Sequence, residues 1–370
     1  MSAPAWTPPP YPYDRLAPWR EKAAALPGGL VDVSIGDPSD PPPVAVVAAL
    51  SSSGAERMYP TSVGSPAFRA AAAGWMQRRF GVDVPTAQIG ACVGTKELVA
   101  GLPAWLKLRR PDRDTVLFPA VSYPTYAMGA LLAGCRPVAV PMDRQWRTDL
   151  SAISAADAAR ALCLWVNTPG NPAGGLDDLD AAAVWGRTHD VLVLSDECYA
   201  EFTWEGPART ILTSGTTGVL AVHSLSKRSN LAGLRTGFYA GDPEWMDFLL
   251  ELRKHAGLMT PGPVLAAAVV ALGDQAHVDE QRERYRQRLA RLQAVLRLAG
   301  VDAPRPGGGF YLWAPAPDGD DWGLVERLAV EGGLLGSPGE FYGEAGRGYV
   351  RLAAVAPLDR LDLVASRLKD

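Results

Sequence analysis

From about residue 85 to residue 242 the sequence alternates short apolar runs with helix-length segments, and that alternation restricts the chain to few folds. Strands are predicted at 115–119, 137–142, 161–167, 191–195, 218–224 and 236–241, with helices between them such as 126–133 and 178–189. Most runs are apolar at consecutive positions, as strands covered by helices on both faces must be. Strand–helix alternation of this kind builds a doubly wound parallel sheet. One link departs from the rule. Residues 226–235 are too few for a helical crossover, which needs roughly a dozen residues or more, so 236–241 is predicted to run antiparallel.

Beyond 242 the pattern changes. A charged amphipathic helix is predicted from about 277 to 298, its arginines on a solvated face. Three glycines (307–309), a strand at 310–314, a helix near 322–331, a strand at 349–353 and a terminal helix follow. These describe a smaller α+β unit, completed by the N-terminal arm. No internal repeat is present, and the prolines at 38–43 read as a linker-like turn. A chain of 370 residues suits two domains that share a large core.

Composition narrows the function classes. With 48% hydrophobic and 21% charged residues the chain is a folded globule. A net charge of -4 and the lack of a basic block argue against nucleic acid. No apolar stretch approaches the roughly 18 residues of a membrane span. Residues 1–20 lack the apolar centre of a signal peptide. Cys92, Cys135, Cys163 and Cys198 are scattered singly, so no disulfide framework or zinc site is expected and the chain reads as cytoplasmic. His189, His223, His255 and His277 have no metal-ligand spacing.

Three apolar runs end in chemistry-bearing residues. One closes in Asn167-Thr168-Pro169-Gly170-Asn171-Pro172, one in Ser195-Asp196-Glu197-Cys198-Tyr199, and one in Ser224-Leu225-Ser226-Lys227 with Arg235 eight positions on. An amine, a carboxylate, a phenol and an amide delivered to neighbouring strand ends suit pyridoxal 5'-phosphate (PLP). Lys227 would bond its aldehyde. Asp196, costly to bury alone, would meet the protonated ring nitrogen. Tyr199 and Asn171 would donate to the 3'-oxygen, and Ser224, Ser226 and Arg235 would hold the phosphate. Gly94-Thr95-Lys96-Glu97 opens a helix whose free amides and dipole favour an anion. It matches neither the dinucleotide fingerprint nor the P-loop. Tyr123 and Tyr126 follow the strand at 115–119, where a ring can stack on a pyridine, and His223 is expected to pack beside the cofactor.

These motifs resemble the class I/II aminotransferases of PLP fold type I, from Ile35-Gly36-Asp37-Pro38 through Tyr59-Pro60-Thr61 to Arg351. More narrowly, SLSKRSNLAG (224–233), RKHAGLMTPGP (253–263), Tyr311-Leu312-Trp313 and PGEFYG (338–343) resemble actinobacterial N-succinyldiaminopimelate aminotransferases. The resemblance implies a large domain over 45–272, built on a seven-stranded, mostly parallel, doubly wound sheet. A smaller α+β domain would combine 1–44 with 273–370. It implies Lys227 as the cofactor-linked lysine and proton shuttle, Asp196 as partner of the ring nitrogen, and Tyr123 as the stacking ring. Thr95 and Lys96 would sit in the phosphate loop beside Ser224 and Arg235. Arg351 would bind the substrate's α-carboxylate, Gly36 would line that side, and Tyr59 would reach a phosphate in the partner of a homodimer with shared sites. The implied substrates are an amino acid and a 2-oxo acid, N-succinyl-LL-diaminopimelate with 2-oxoglutarate/glutamate. Two stretches depart from that subfamily: Leu-Ala-Ala-Val-Ala-Pro-Leu after Arg351, and Gly307-Gly308-Gly309-Phe310. Both bear on the substrate and leave the cofactor set intact. The alternative they point to is a paralogous aminotransferase or PLP lyase of another, specialised pathway.

Overall fold

A computed structural model describes residues 6–369; residues 1–5 of the expected arm and residue 370 lie outside it. Twelve strands occur among the described residues. In chain order they are β1 (Val31–Asp32), β2 (Ile89–Cys92), β3 (Thr115–Pro119), β4 (Arg136–Val140), β5 (Ala161–Asn167) and β6 (Leu192–Asp196). β7 (Val219–Ser224), β8 (Gly237–Gly241), β9 (Tyr311–Pro315), β10 (Leu334–Leu335), β11 (Ser337–Pro338) and β12 (Tyr349–Ala353) follow.

Seven strands form one sheet in the order β2-β8-β7-β6-β5-β3-β4. The pairs from β7 to β4 are parallel, while β8 runs antiparallel to both β7 and β2. The short link after β7 holds only a one-turn helix, Leu225–Arg228, and a 3-10 turn, Ala232–Leu234, so no crossover returns the chain to the sheet's other end. Every residue of β5, β6 and β7 is buried. Alternate residues of a strand feed opposite faces. Leu164 and Val193 join Phe68, Trp75 and Leu265 in one apolar layer, while Trp165 and Leu194 join Leu98, Tyr126 and Met246 in the other.

A third core unites Leu16, Val31 and Val33 with residues between Tyr285 and Ala365. Val33 is stitched in from both sides: its amide donates to Leu335 O at 3.0 Å and its carbonyl accepts from Ala353 N at 2.8 Å. The N-terminal arm is thereby part of this unit's core, around the antiparallel order β11-β12-β9 and the parallel pair β1-β10.

The long helix Ala276–Leu298 differs from expectation in where its arginines go. Arg288 is buried and grips the Asp40 carboxylate at 2.6 and 2.7 Å. Arg282 donates to the carbonyls of Glu201 and Thr203. Part of the face expected to be solvated therefore ties the helix to distant segments. No helix among the described residues is long and apolar enough to cross a membrane.

Candidate active site

β5, β6 and β7 are neighbours, so the three polar motifs that end them open at one edge of the sheet. Ligands of open α/β sheets bind beyond the carboxyl ends of the strands. A cavity of about 570 Å³ lies there, and Asn171, Asp196, Tyr199, Ser224, Ser226 and Lys227 line it.

Lys227 stands on the one-turn helix, whose first turn Ser224 caps by accepting from Ser226 N at 3.1 Å. Its Nζ donates to Gly36 O. Burial pushes the ammonium down to about 8, against the opposing pull of Asp37. A side chain at Gly36 would meet Tyr311 Oη at 2.0 Å, so only glycine allows this approach.

Asp196 is buried at the end of β6, where it receives Tyr126 Oη at 2.8 Å and Cys198 N at 3.2 Å. Burial raises its pKa, and these bonds only partly offset that rise. The carboxylate faces the cavity with neutral partners alone, which fits a protonated ring nitrogen as the missing cation. Asn167 holds the adjoining loop, donating to Asp196 O at 2.9 Å and accepting from Asn171 N at 2.8 Å. Tyr199 Oη meets Tyr311 Oη at 2.8 Å, and burial together with Tyr311 holds its phenol well above the usual range. Tyr123 lines the cavity, edge-on to Tyr126 at 5.9 Å. Tyr126 itself stacks on Trp165 and serves Asp196.

At the other end, Gly94 at φ +73° starts the helix Thr95–Arg109. A Cβ there would fall 2.4 Å from Arg235 Nη2, so glycine lets the guanidinium lie over the helix start. Thr95, Lys96, Ser224, Ser226 and Arg235 all face the cavity. A helix start, three hydroxyls and a guanidinium fit a phosphate dianion. Lys96 carries its ammonium 5.6 Å over the Tyr11 ring.

Arg351 projects from β12 and is 3% exposed. It donates to Asn171 Oδ1 at 3.0 Å, Ser34 O at 2.6 Å and Tyr13 Oη at 3.3 Å, between the rings of Tyr311 and Tyr342. Its Nε is buried without a partner. A buried guanidinium held only by neutral acceptors is suited to a carboxylate.

One expectation needs correction. His223 does not line the cavity. It follows the alternation of β7 to the opposite face, between Trp75, Phe80 and Phe238, where burial drives its pKa down to about 3. Tyr59 is 94% exposed and lies outside its own chain's cavity. Sequence reasoning also missed the parts played by Asn167, Ser34, Tyr13 and Tyr342. The tyrosines lie in segments with no strand-end signal, and their hydroxyls gain meaning only beside Arg351.

Comparison with known proteins adds three likenesses and a family. The family model described as aminotransferase class I and II matches residues 29–368. The chain is 41% identical over 370 residues to the Streptomyces rimosus protein named 4-dedimethylamino-4-oxo-anhydrotetracycline transaminase OxyQ, covering 97% of this chain and 99% of that one. It is 32% identical to the LL-diaminopimelate aminotransferase of Aquifex aeolicus, covering 98% and 96%. The solved structure of a probable N-succinyldiaminopimelate aminotransferase from Thermus thermophilus matches with a TM-score of 0.87 at 30% identity, covering 97% of this chain and 99% of that one.

Proposed function

Since the chain belongs to the class I and II aminotransferase family, whose members depend on PLP, we propose that it draws the amino group from an α-amino acid and delivers it to an oxo substrate of a specialised pathway. The observation that carries the donor half is Arg351, buried without a carboxylate in the same cavity as Lys227. Bound PLP supplies an aldehyde that carries the amino group and a ring that draws electrons from the substrate's α-carbon.

The chain's own residues do the rest. Arg351 orients the donor's carboxylate and so brings the α-carbon toward Lys227. Lys227 Nζ, once released by the incoming amine, takes the α-proton and later returns it. Burial lowers its pKa, which favours the neutral amine that a base must be. Asp196 would hold the proton on the ring nitrogen, Tyr199 and Asn171 would donate to the ring oxygen, and Thr95, Ser224, Ser226 and Arg235 would anchor the phosphate.

For the acceptor, Tyr11, Tyr13 and Ile35 line the cavity, a wall that favours a flat or apolar body. The greater identity to the Streptomyces transaminase than to the diaminopimelate enzymes supports the same reading. One feature favours a second reading, N-succinyl-LL-diaminopimelate with 2-oxoglutarate: Lys96 offers a cation to a distal carboxylate. A half-reaction panel separates the two. PLP-loaded protein is mixed with glutamate, aspartate and N-succinyl-LL-diaminopimelate while loss of the lysine-bound cofactor's visible absorption is followed. The aminated protein is then offered 2-oxoglutarate and flat cyclic ketones. Highest kcat/KM with N-succinyl-LL-diaminopimelate would replace the first reading by the second.

A further inference from the structure

We propose that Tyr13 is a substrate-positioning residue: its hydroxyl shares Arg351 with the substrate's carboxylate. The inference rests on the reading of Arg351 as the carboxylate-binding group.

The arm enters as a 3-10 turn, Pro12–Leu16, and Tyr11 and Tyr13 form part of the cavity wall. Tyr13 Oη lies 3.3 Å from Arg351 Nη2 and 2.8 Å from Tyr342 Oη, which lies 2.7 Å from Ser337 Oγ. A run of three hydroxyls thus leads from β11 to the arginine. The arm is tied down beside it. Arg15 bonds Glu340 at 2.6 Å and covers the Trp322 ring at 4.7 Å, while the Tyr13 ring packs edge-on against Phe341 at 5.3 Å.

The three acceptors of Arg351 are not equivalent. Ser34 O and Asn171 Oδ1 are oxygens that only accept, fixed by the backbone and by a loop. Tyr13 Oη makes the longest of the three contacts, and its proton can turn. With no carboxylate present it accepts from Arg351. A carboxylate that takes its place on Nη2 receives the Tyr13 proton as a second, charge-assisted bond. Tyr13 therefore stabilises bound carboxylate specifically and contributes nothing to the chemistry at Lys227.

Two probes that capture PLP and differ in one group test this: aminooxyacetate, which carries a carboxylate, and methoxyamine, which does not. In PLP-loaded Tyr13→Phe, aminooxyacetate should discharge the visible absorption about three- to tenfold more slowly, with methoxyamine unchanged. Glutamate should show the same rise in half-saturating concentration at an unaltered limiting rate. The ring and its packing on Phe341 persist in this variant. In an Arg351→Lys background the further effect of Tyr13→Phe should vanish. Equal slowing of both probes, or of neither, would overturn the proposal. If Arg351→Lys slows aminooxyacetate and Tyr13→Phe does not, only the role of Tyr13 falls. If Arg351→Lys itself changes nothing, the carboxylate reading falls as well.

Discussion

Burial sets the working range of Lys227. Its ammonium has lost most of its water, and the Asp37 carboxylate only partly compensates, so its pKa drops to about 8. Below that value the amine is protonated and cannot attack an aldehyde. Capture of PLP by cofactor-free protein should therefore quicken about tenfold per pH unit up to about 8 and then level off. Stopped-flow absorbance reads this directly, with Lys227→Ala as the blank. A plateau beginning only near 10.5, the ordinary lysine value, would refute the desolvated amine. Asp196 supplies the second test at this scale. Asp196→Asn keeps the shape and the Tyr126 contact and removes the anion. With PLP saturating, kcat/KM should fall roughly a hundredfold, a loss of about 3 kcal/mol; near wild-type turnover would remove Asp196 from its role. Both residues were legible because a charged group at the end of an apolar strand is expensive without a partner. Tyr126 was legible only as a ring. Its bond to Asp196 spans 70 positions, and no local pattern encodes such a pairing.

Secondary-structure elements were legible where physics leaves one option. Runs apolar on both faces had to be covered strands, and the short link after β7 forced β8 to run antiparallel. Ends were less sharp: the strand read at 137–142 lies at Arg136–Val140, and such ends are soft by a residue or two. The arginines of Ala276–Leu298 were misjudged for a different reason. Helical periodicity shows which face is apolar, but it does not show that a distant segment will deliver an acceptor to a long guanidinium stem. Asp40 comes from 248 residues away to meet Arg288, and Gln281 donates to it at 2.8 Å. Burial opposes ionisation of Asp40, yet the bonds from Arg288 and Gln281 outweigh it and hold its pKa below the usual range. Asp40→Ala leaves Arg288 buried without its carboxylate, with only the Val355 carbonyl at 3.3 Å, a loss of about 2 kcal/mol once solvent access to Asp40 is allowed for. The sign with pH follows from the lowered pKa. The contribution is fully present above the unfolded carboxyl value of about 3.9 and is lost as pH falls through the folded value. The gap in urea midpoint between wild type and variant should hold from pH 7 to about pH 5 and narrow below about pH 4. A gap that stays constant down to about pH 3 would mean the charge of Asp40 is not what stabilises the junction.

The whole molecule is organised by three apolar cores, two on the faces of the seven-stranded sheet and one beside it. From that partition we propose 45–272 as the large domain and 1–44 with 273–370 as the small one. What no single chain explains is the surface around Tyr59. Tyr59 is 94% exposed and its chain neighbour Met58 82%, adjacent side chains of a kind that suits contact with another body. The homodimer with shared sites expected from the sequence would cover it, with the Tyr59 hydroxyl reaching the phosphate end of the partner's cavity. Such a contact is legible only through family resemblance and invisible in one chain, because the groups that give it meaning belong to the second copy. Subunit mixing makes it visible. Tyr59→Ala and Lys227→Ala chains are prepared separately, the first expected to bind PLP weakly and the second to be inactive, and then allowed to exchange. If Tyr59 serves the partner, each heterodimer has one site with Lys227 from the first chain and Tyr59 from the second, and that site is whole. Activity should then recover toward half of wild type per heterodimer, since one of its two sites is intact. If Tyr59 works within its own chain, both sites keep a lesion and no activity returns. Verified heterodimers without recovery, from a Tyr59→Ala parent that is itself impaired, would place the phosphate contact elsewhere and leave the exposed surface to another partner.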